Sequence, residues 1–384
     1  MTKPIATETA SRPRTLIVGV DSPYNPTANI EGYFAEFREL VRTNGIVPDK
    51  EVYIKLRQTD PGNLLTQGKL QELLEICNNE NIEEVIFSEP LNGKQERNLS
   101  ALLRCRVFDR TQLILEIFEK GAVSAEGKIQ VNLAMLSHKK SRLANRGNSM
   151  SQQGGGIGTR GPGKTQKQTD IEHIEHLMLK LNRDLVKLKQ VRDTQRKHRL
   201  TSKIPLICLV GYTNAGKSSI LNALTKSDVL AEDKLFATLD TTTRELFLAG
   251  AKKVLLSDTV GFIQQLPHQL IEAFKATLDE LQYAHLLLQV VDISDTNWRA
   301  HSATVEAVLK DLGINKPMLY IFNKIDKVDP IVLETLPLHL YEPHVLTSTY
   351  TEGGLDELRA YLTNWAPALA QPQINYEEFT PDKD

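Results

Sequence analysis

Eight residues after the apolar run Leu206 to Val210 and leading into the helical stretch Lys217 to Thr225 have the form GxxxxGK[ST]: Gly211-Tyr212-Thr213-Asn214-Ala215-Gly216-Lys217-Ser218. A glycine-rich turn between a strand and a helix presents backbone N–H groups and a helix N-terminus to an anion, so it belongs at the carboxyl end of a strand in a covered sheet. The residues around it alternate accordingly. Strands are expected at Val254–Ser257, Leu286–Val291, Met318–Phe322 and Val345–Leu346, and helices at Gln269–Gln282, Ala303–Leu312 and Leu355–Leu362. Near-continuous apolar strands separated by helices predict an α/β fold with a mostly parallel sheet covered on both faces, over residues 202–367.

The chain has 384 residues, enough for further cores upstream. Strand-like runs at Leu16–Val20, Val52–Leu56, Val85–Phe87 and Val107–Asp109, with helical patterns at Ile30–Val41, Leu70–Cys77 and from Leu113, predict a smaller α/β domain over 15–128, after an arm at 1–14. Residues 129–201 read as a helical hairpin, Gln130–Arg146 and Thr169–Arg199, around a glycine-rich tip at 147–168. Ile171, Ile174, Met178, Leu181, Leu185 and Leu188 form one seam on its second helix. An acidic tail is expected over 368–384.

The formal charge of −2 hides an asymmetry: residues 138–203 hold 16 Lys and Arg against 5 Asp and Glu, a net of +11, leaving −13 on the rest. Cys77, Cys105 and Cys208 have no paired spacing and are expected as reduced core residues. No apolar stretch of bilayer length occurs, so a cytoplasmic protein without membrane insertion, monomeric in solution, is expected.

Three short motifs carry chemistry. In the first, Lys217 would neutralise the β and γ charges of a nucleotide and Ser218 would ligate Mg²⁺. In Asp258-Thr259-Val260-Gly261, at the end of an apolar strand, Asp258 would hold Mg²⁺ through water and the Gly261 N–H would meet a γ-phosphate. In Asn323-Lys324-Ile325-Asp326, a carboxylate can accept from both the N1–H and the amine of guanine, a pattern adenine does not present. A lone DxxG or NKxD is a common polar turn; their order after the phosphate loop gives them meaning.

That ordered set resembles the Obg and HflX superfamily of translation-factor-class GTPases, and further runs are similar to HflX itself: Leu235 to Asp240, Asp258 to Gln265, Phe274 to Leu278, Gly154 to Gly163, and Asp109-Arg110-Thr111-Gln112-Leu113-Ile114-Leu115. The resemblance implies that Phe236, Ala237, Thr238, Leu239 and Asp240 form a nucleotide-responsive switch, with Thr238 completing Mg²⁺ coordination. Ser348-Thr349-Tyr350 falls where the family contacts the base through backbone. Catalysis is then expected of Lys217, Thr238 and Gly261, with GTP as substrate and GDP as product. HflX proteins bind the large (50S) ribosomal subunit and separate stalled ribosomes, and the basic hairpin fits an rRNA contact.

The sequence departs from the family in places. Lys164, Lys167 and Gln168 make the tip more basic, Asp240-Thr241 lacks a proline, and Phe262 follows DTVG where many GTPases place a water-orienting glutamine. Phe262 is expected either to leave the site without such a group, to pack as core, or both. An RNA-binding or RNA-remodelling protein regulated by GTP, without ribosome-stimulated hydrolysis, remains the alternative.

Overall fold

The computed structural model describes residues 12–25, 27, 29–144, 166–201, 204–225, 234–239, 241–249, 252–265 and 278–365. Most of the N-terminal arm, most of the glycine-rich tip, Asp240, most of the helix expected at Gln269–Gln282 and the acidic tail lie outside the described residues.

The first region is a four-stranded parallel sheet in the order β2-β1-β3-β4, formed by β1 (Thr15–Asp21), β2 (Lys50–Lys55), β3 (Glu84–Phe87) and β4 (Arg106–Asp109). Alternation along β1 assigns its two faces. Leu16, Val18 and Val20 pack with Leu73 and Cys77 of α2 (Gln67–Asn79) and Leu99 of α3 (Gly93–Leu103). Ile17 packs with Phe37 and Leu40 of α1 (Ile30–Thr43) and Phe118 of α4 (Arg110–Gly121). Side-chain caps start three of these helices: Asn29 accepts from Gly32 N, Asp109 from Gln112 N, and Asn92 forms a reciprocal box with Gln95. Helix α3 was not among the expected elements.

Two long helices follow, α5 (Ala125–Ala144) and α6 (Gln166–Thr201), packed on each other and joined by Lys140–Glu175 at 2.8 Å. The expected seam is shallow, with Ile174 buried and Ile171, Met178, Leu181, Leu185 and Leu188 half-buried. Arg142 anchors α5 to the sheet region through ion pairs with Glu96 and, at 2.9 Å, Asp109.

The last region is a six-stranded sheet in the order β10-β9-β8-β5-β7-β6. It comprises β5 (Leu206–Gly211), β6 (Thr242–Leu248), β7 (Lys252–Asp258), β8 (Leu286–Asp292), β9 (Met318–Asn323) and β10 (His344–Leu346). All pairs are parallel except β6 with β7. Strand β6 was not among the expected elements, although Leu246 and Leu248 are buried and Phe247 between them is exposed, the period of a half-covered edge strand. On β5, Ile207 and Leu209 face α7 (Lys217–Thr225) and α10 (Asp356–Asn364), while Cys208 and Val210 face α8 (Trp298–Asp311). The short helix α9 (Pro330–Thr335) follows β9. The three cysteines are buried free thiols. Among the described residues no helix is long and apolar enough to cross a membrane.

The two sheet regions share a core. Phe118 of α4 packs on Phe236 with ring centroids 4.6 Å apart, and Leu235, Leu239, Val260, Phe262 and Ile263 belong to the same buried cluster as Phe37 and Leu40. The backbone of Gly121 leaves room for Leu239, since a β-carbon there would come within 2.5 Å of Leu239 Cδ1. The residues flanking the phosphate loop therefore carry the first region directly.

Candidate active site

The phosphate loop curls between β5 and α7. Gly211 abuts β8 so closely that a β-carbon would lie 2.3 Å from the Val290 carbonyl oxygen, and Gly216, at φ +98°, leaves the same distance to Asn323 Nδ2. Lys217 is buried beneath the loop and donates to the carbonyls of Gly211 (3.1 Å) and Tyr212 (2.7 Å). Burial lowers its pKa to about 8, opposed by the Asp258 carboxylate. A buried ammonium with one acidic neighbour suits a polyanionic ligand.

Three oxygens converge beside it. Ser218 Oγ lies 2.7 Å from Thr238 Oγ1 and donates to Asp258 Oδ2 at 2.6 Å, and Thr238 Oγ1 reaches the same oxygen at 3.1 Å. Asp258 ends β7, fully buried; burial raises its pKa against the pull of Lys217 and the two hydroxyls, and its Oδ1 has no hydrogen-bond partner. An all-oxygen donor set with an unsatisfied buried carboxylate oxygen fits a hard divalent cation such as Mg²⁺. Thr259 supports the strand end by donating to the Leu209 carbonyl at 2.7 Å.

Gly261 lies against the loop, where a β-carbon would stand 2.9 Å from Thr213 Cα and 3.1 Å from Lys217 Nζ. Phe262 then forms a parallel bridge with Tyr212: Phe262 N donates to the Gly211 carbonyl (3.1 Å), and Thr213 N donates to the Phe262 carbonyl (2.8 Å). The Phe262 ring is buried in the core shared with the first region. Both readings of Phe262 hold together, as core and as a switch position without a polar side chain.

On the other side of the loop, Asn323 Nδ2 donates to the Ala215 carbonyl (3.0 Å) and Asn323 Oδ1 accepts from Thr347 Oγ1 (3.2 Å). Lys324, at φ 65°, reaches the Asn214 carbonyl (2.8 Å) and Asp292 (2.7 Å). Asp326 is exposed and receives the Ser348 hydroxyl at 2.6 Å, and Ser348 Oγ accepts from the backbone N–H of Tyr350 (3.2 Å). The two loops expected at the base thus meet. Ile325 packs inward, Thr349 is half-buried and the Tyr350 ring is exposed.

Several expected residues turn their side chains elsewhere. Phe236, Leu239 and Val260 belong to the shared core, so only their backbones are available to a nucleotide, while Ala237 lines the small recess beside Lys217. The Tyr212 ring stacks on His301 (3.8 Å, 9°), and its hydroxyl donates to Glu36. Burial and the Glu36 carboxylate raise the phenol pKa far enough to keep it a donor. Sequence reading attached no role to Glu36 or Arg110, and it included Gln264 and Gln265 only as part of the Asp258 to Gln265 run. Gln265 Nε2 donates to Asn25 (2.8 Å) and Thr27 (3.2 Å), and its Oε1 accepts from Tyr33 (3.3 Å). The only signal for Arg110 was its place in the Asp109 to Leu115 run, to which no role was attached.

Comparison with known proteins gives a consistent pattern. Residues 31–119 match the GTP-binding GTPase N-terminal model, 121–199 the GTP-binding GTPase middle region, and 206–324 the 50S ribosome-binding GTPase model. The chain is 44% identical to the GTPase HflX of Caldanaerobacter subterraneus subsp. tengcongensis, over 77% of its own length and 69% of the relative's. It is 42% identical to that of Lacrimispora saccharolytica, over 90% and 81%, and 40% identical to that of Escherichia coli K12, over 77% and 69%. Among solved structures, the complex of SsGBP with GDP aligns with a TM-score of 0.52 at 25% identity, covering 91% of this chain and 97% of that one.

Proposed function

The chain belongs to the HflX family of GTPases, and from that premise we propose that it couples GTP hydrolysis to docking on the large ribosomal subunit, with the separation of stalled ribosomes as the outcome. The observation that carries this reading is the match of residues 206–324 to a 50S ribosome-binding GTPase, in a chain whose phosphate-loop lysine and three clustered oxygens have the geometry described above.

In this reading the loop amides and Lys217 would hold the β- and γ-phosphates, and Ser218, Thr238 and, through water, Asp258, whose oxygens cluster here, would hold Mg²⁺. The bound cation would neutralise charge on the transferring phosphoryl group. The Gly261 N–H faces the γ-phosphate, and Asp326, held by Ser348, pairs with guanine. GTP would order residues 235–239 and 258–265, and both segments touch the first region, so nucleotide state would alter how that region presents itself to the ribosome.

The rRNA contact is assigned to the basic hairpin. Lys180, Arg183 and Lys187 are exposed on α6, within the +11 segment, where they can neutralise phosphates. Reversing all three to Glu is expected to weaken co-sedimentation with purified 50S subunits by about 10-fold or more at moderate salt and to flatten its salt dependence, because counterion release scales with the phosphate contacts made. GTP affinity should not change. Ribosome binding equal to wild type in that variant would move the contact away from the hairpin. The alternative, an RNA-binding protein merely regulated by GTP, predicts no effect of 50S subunits on turnover.

A further inference from the structure

The Asp109-Arg110-Thr111-Gln112 run has a structural consequence at the active site. Asp109 caps α4 by accepting from Gln112 N (2.8 Å) and also accepts from Leu91 N (2.9 Å), which fixes the first turn of the helix. Arg110, the first helical residue, lies fully buried where the first region meets the segment after Gly261. Its guanidinium stands 4.7 Å over the Tyr33 ring. Among the described residues Nε and Nη1 have no hydrogen-bond partner, and the hydrogen bonds run through Nη2, which donates to Glu36 and, at 3.2 Å, to the Gln264 carbonyl.

The other flank of Gln264 is held by the same group of residues. Gln264 N donates to the Tyr212 hydroxyl at 2.8 Å, and that hydroxyl donates in turn to the second oxygen of Glu36. One buried carboxylate from α1 therefore fixes both a guanidinium and a phenol, and those two groups take the C=O and the N–H of a single residue, Gln264, just after Gly261 and Phe262. A buried guanidinium with few acceptors loses heavily if one of them moves, so the Gln264 backbone is tied tightly to this group. Tyr212 is itself part of the phosphate loop, and the bridge between Tyr212 and Phe262 links the loop to the same segment.

We propose that Arg110, with Glu36 and Tyr212, is a positioning residue for GTP hydrolysis: by holding the backbone of Gln264 on both sides it keeps Gly261 in place beside Lys217. The proposal rests on the reading of the chain as a GTPase with Gly261 at the γ-phosphate. Where no switch side chain orients the attacking water, the rate depends on backbone groups held within fractions of an ångström, and small displacements are costly. Nucleotide affinity draws mainly on the loop amides and Lys217; Tyr212 serves the loop through its backbone, while its ring and hydroxyl point away from it to His301 and Glu36.

The test is single-turnover GTP hydrolysis by the full chain carrying Arg110→Met, Tyr212→Phe or both, with GTP affinity measured on the same samples. Each single change is expected to lower the hydrolysis rate by about 10-fold, with affinity within about twofold of wild type, as misplacement of a catalytic group predicts. Because both residues act on the backbone of one residue, Gln264, the double variant should also stay near a 10-fold loss. Unchanged rates in folded variants, parallel loss of rate and affinity, or multiplying losses in the double variant would overturn the proposal. If Arg110→Met does not fold, Tyr212→Phe, which removes one hydroxyl, decides alone by the same criteria. Wild-type protein that binds GTP without turning it over would overturn the hydrolysis reading and the proposal with it, whereas normal wild-type turnover with unaffected variants overturns the proposal only.

Discussion

Asp326→Asn should reverse base preference, weakening GTP binding by about 10²-fold and admitting XTP in its place. The Asp326 carboxylate stands in an exposed loop after β9, with Oδ1 accepting the Ser348 hydroxyl at 2.6 Å, and carboxylate oxygens have further lone pairs for a base. Guanine offers two donors to it, N1–H and the exocyclic amine. An amide at 326 turns an N–H group toward those donors, and each polar group left unpaired costs about 1–3 kcal/mol, so two give a loss between about 30-fold and 10⁴-fold. Xanthine carries a carbonyl where guanine has the amine and accepts from the amide instead. Competition binding with GTP and XTP reads the exchange directly. The same variant should leave the phosphate side intact, because Lys217, Ser218 and Asp258 are positioned by β5, α7 and β7 and receive nothing from residue 326. Unchanged preference for GTP would remove Asp326 from the base site.

What could be read from the sequence follows from how local each feature is. The phosphate loop, DTVG and NKID were legible because each is a contiguous run at the end of a strand, with glycines shaping the first two. Strand β5 was legible from its unbroken apolar run, but which residues face which layer was not, because Ile207, Cys208, Leu209 and Val210 are all apolar. Helix α3 was missed although Asn92 and Gln95 have the spacing of a reciprocal cap, because its apolar residues, Leu99 and Leu103, make too short a stripe to stand out. Strand β6 was missed because its first residues, Thr242 to Glu245, are polar and lie at a sheet edge; its direction is set by pairing with β7, which no local pattern encodes.

The contacts around Arg110 lay further out of reach. Arg110 and Gln264 are 154 positions apart, and Glu36 and Tyr212 are 176 apart. In a sequence, an arginine at the start of a helix and a glutamate on an otherwise amphipathic one read as solvated side chains. Only the closure of two sheet regions over a common core buries them together. Phe236 and Leu239 illustrate the same effect from the other direction, since family resemblance placed them at the nucleotide and the packing turns their side chains to Phe118 and Gly121.

Hydrolysis by the protein alone should be slow, and the large subunit should accelerate it by about 10²-fold or more, several kcal/mol of barrier. The reason lies in where the polar groups near Gly261 point. The residue after it, Phe262, has its ring in the shared core. The next glutamines are engaged elsewhere: Gln264 gives its backbone to Tyr212 and Arg110 and its Oε1 accepts from Thr27 at 3.5 Å, and the Gln265 amide is taken by Asn25, Thr27 and Tyr33. Lys217 and the loop amides can stabilise charge on the phosphoryl group, yet none of these side chains is disposed to orient a water. Docking that shifts the first region would move residues 264 and 265 with it, since they are bonded to it, and a repositioned backbone or an external group could then hold the nucleophile.

The measurement that bears most directly on this account is single-turnover GTP hydrolysis by the full chain, alone and with saturating purified 50S subunits. A slow basal rate that rises about 10²-fold or more with subunits is the predicted result. Fast turnover by the free protein, or no stimulation by subunits that demonstrably bind it, would contradict the claim that the ribosome completes this active site.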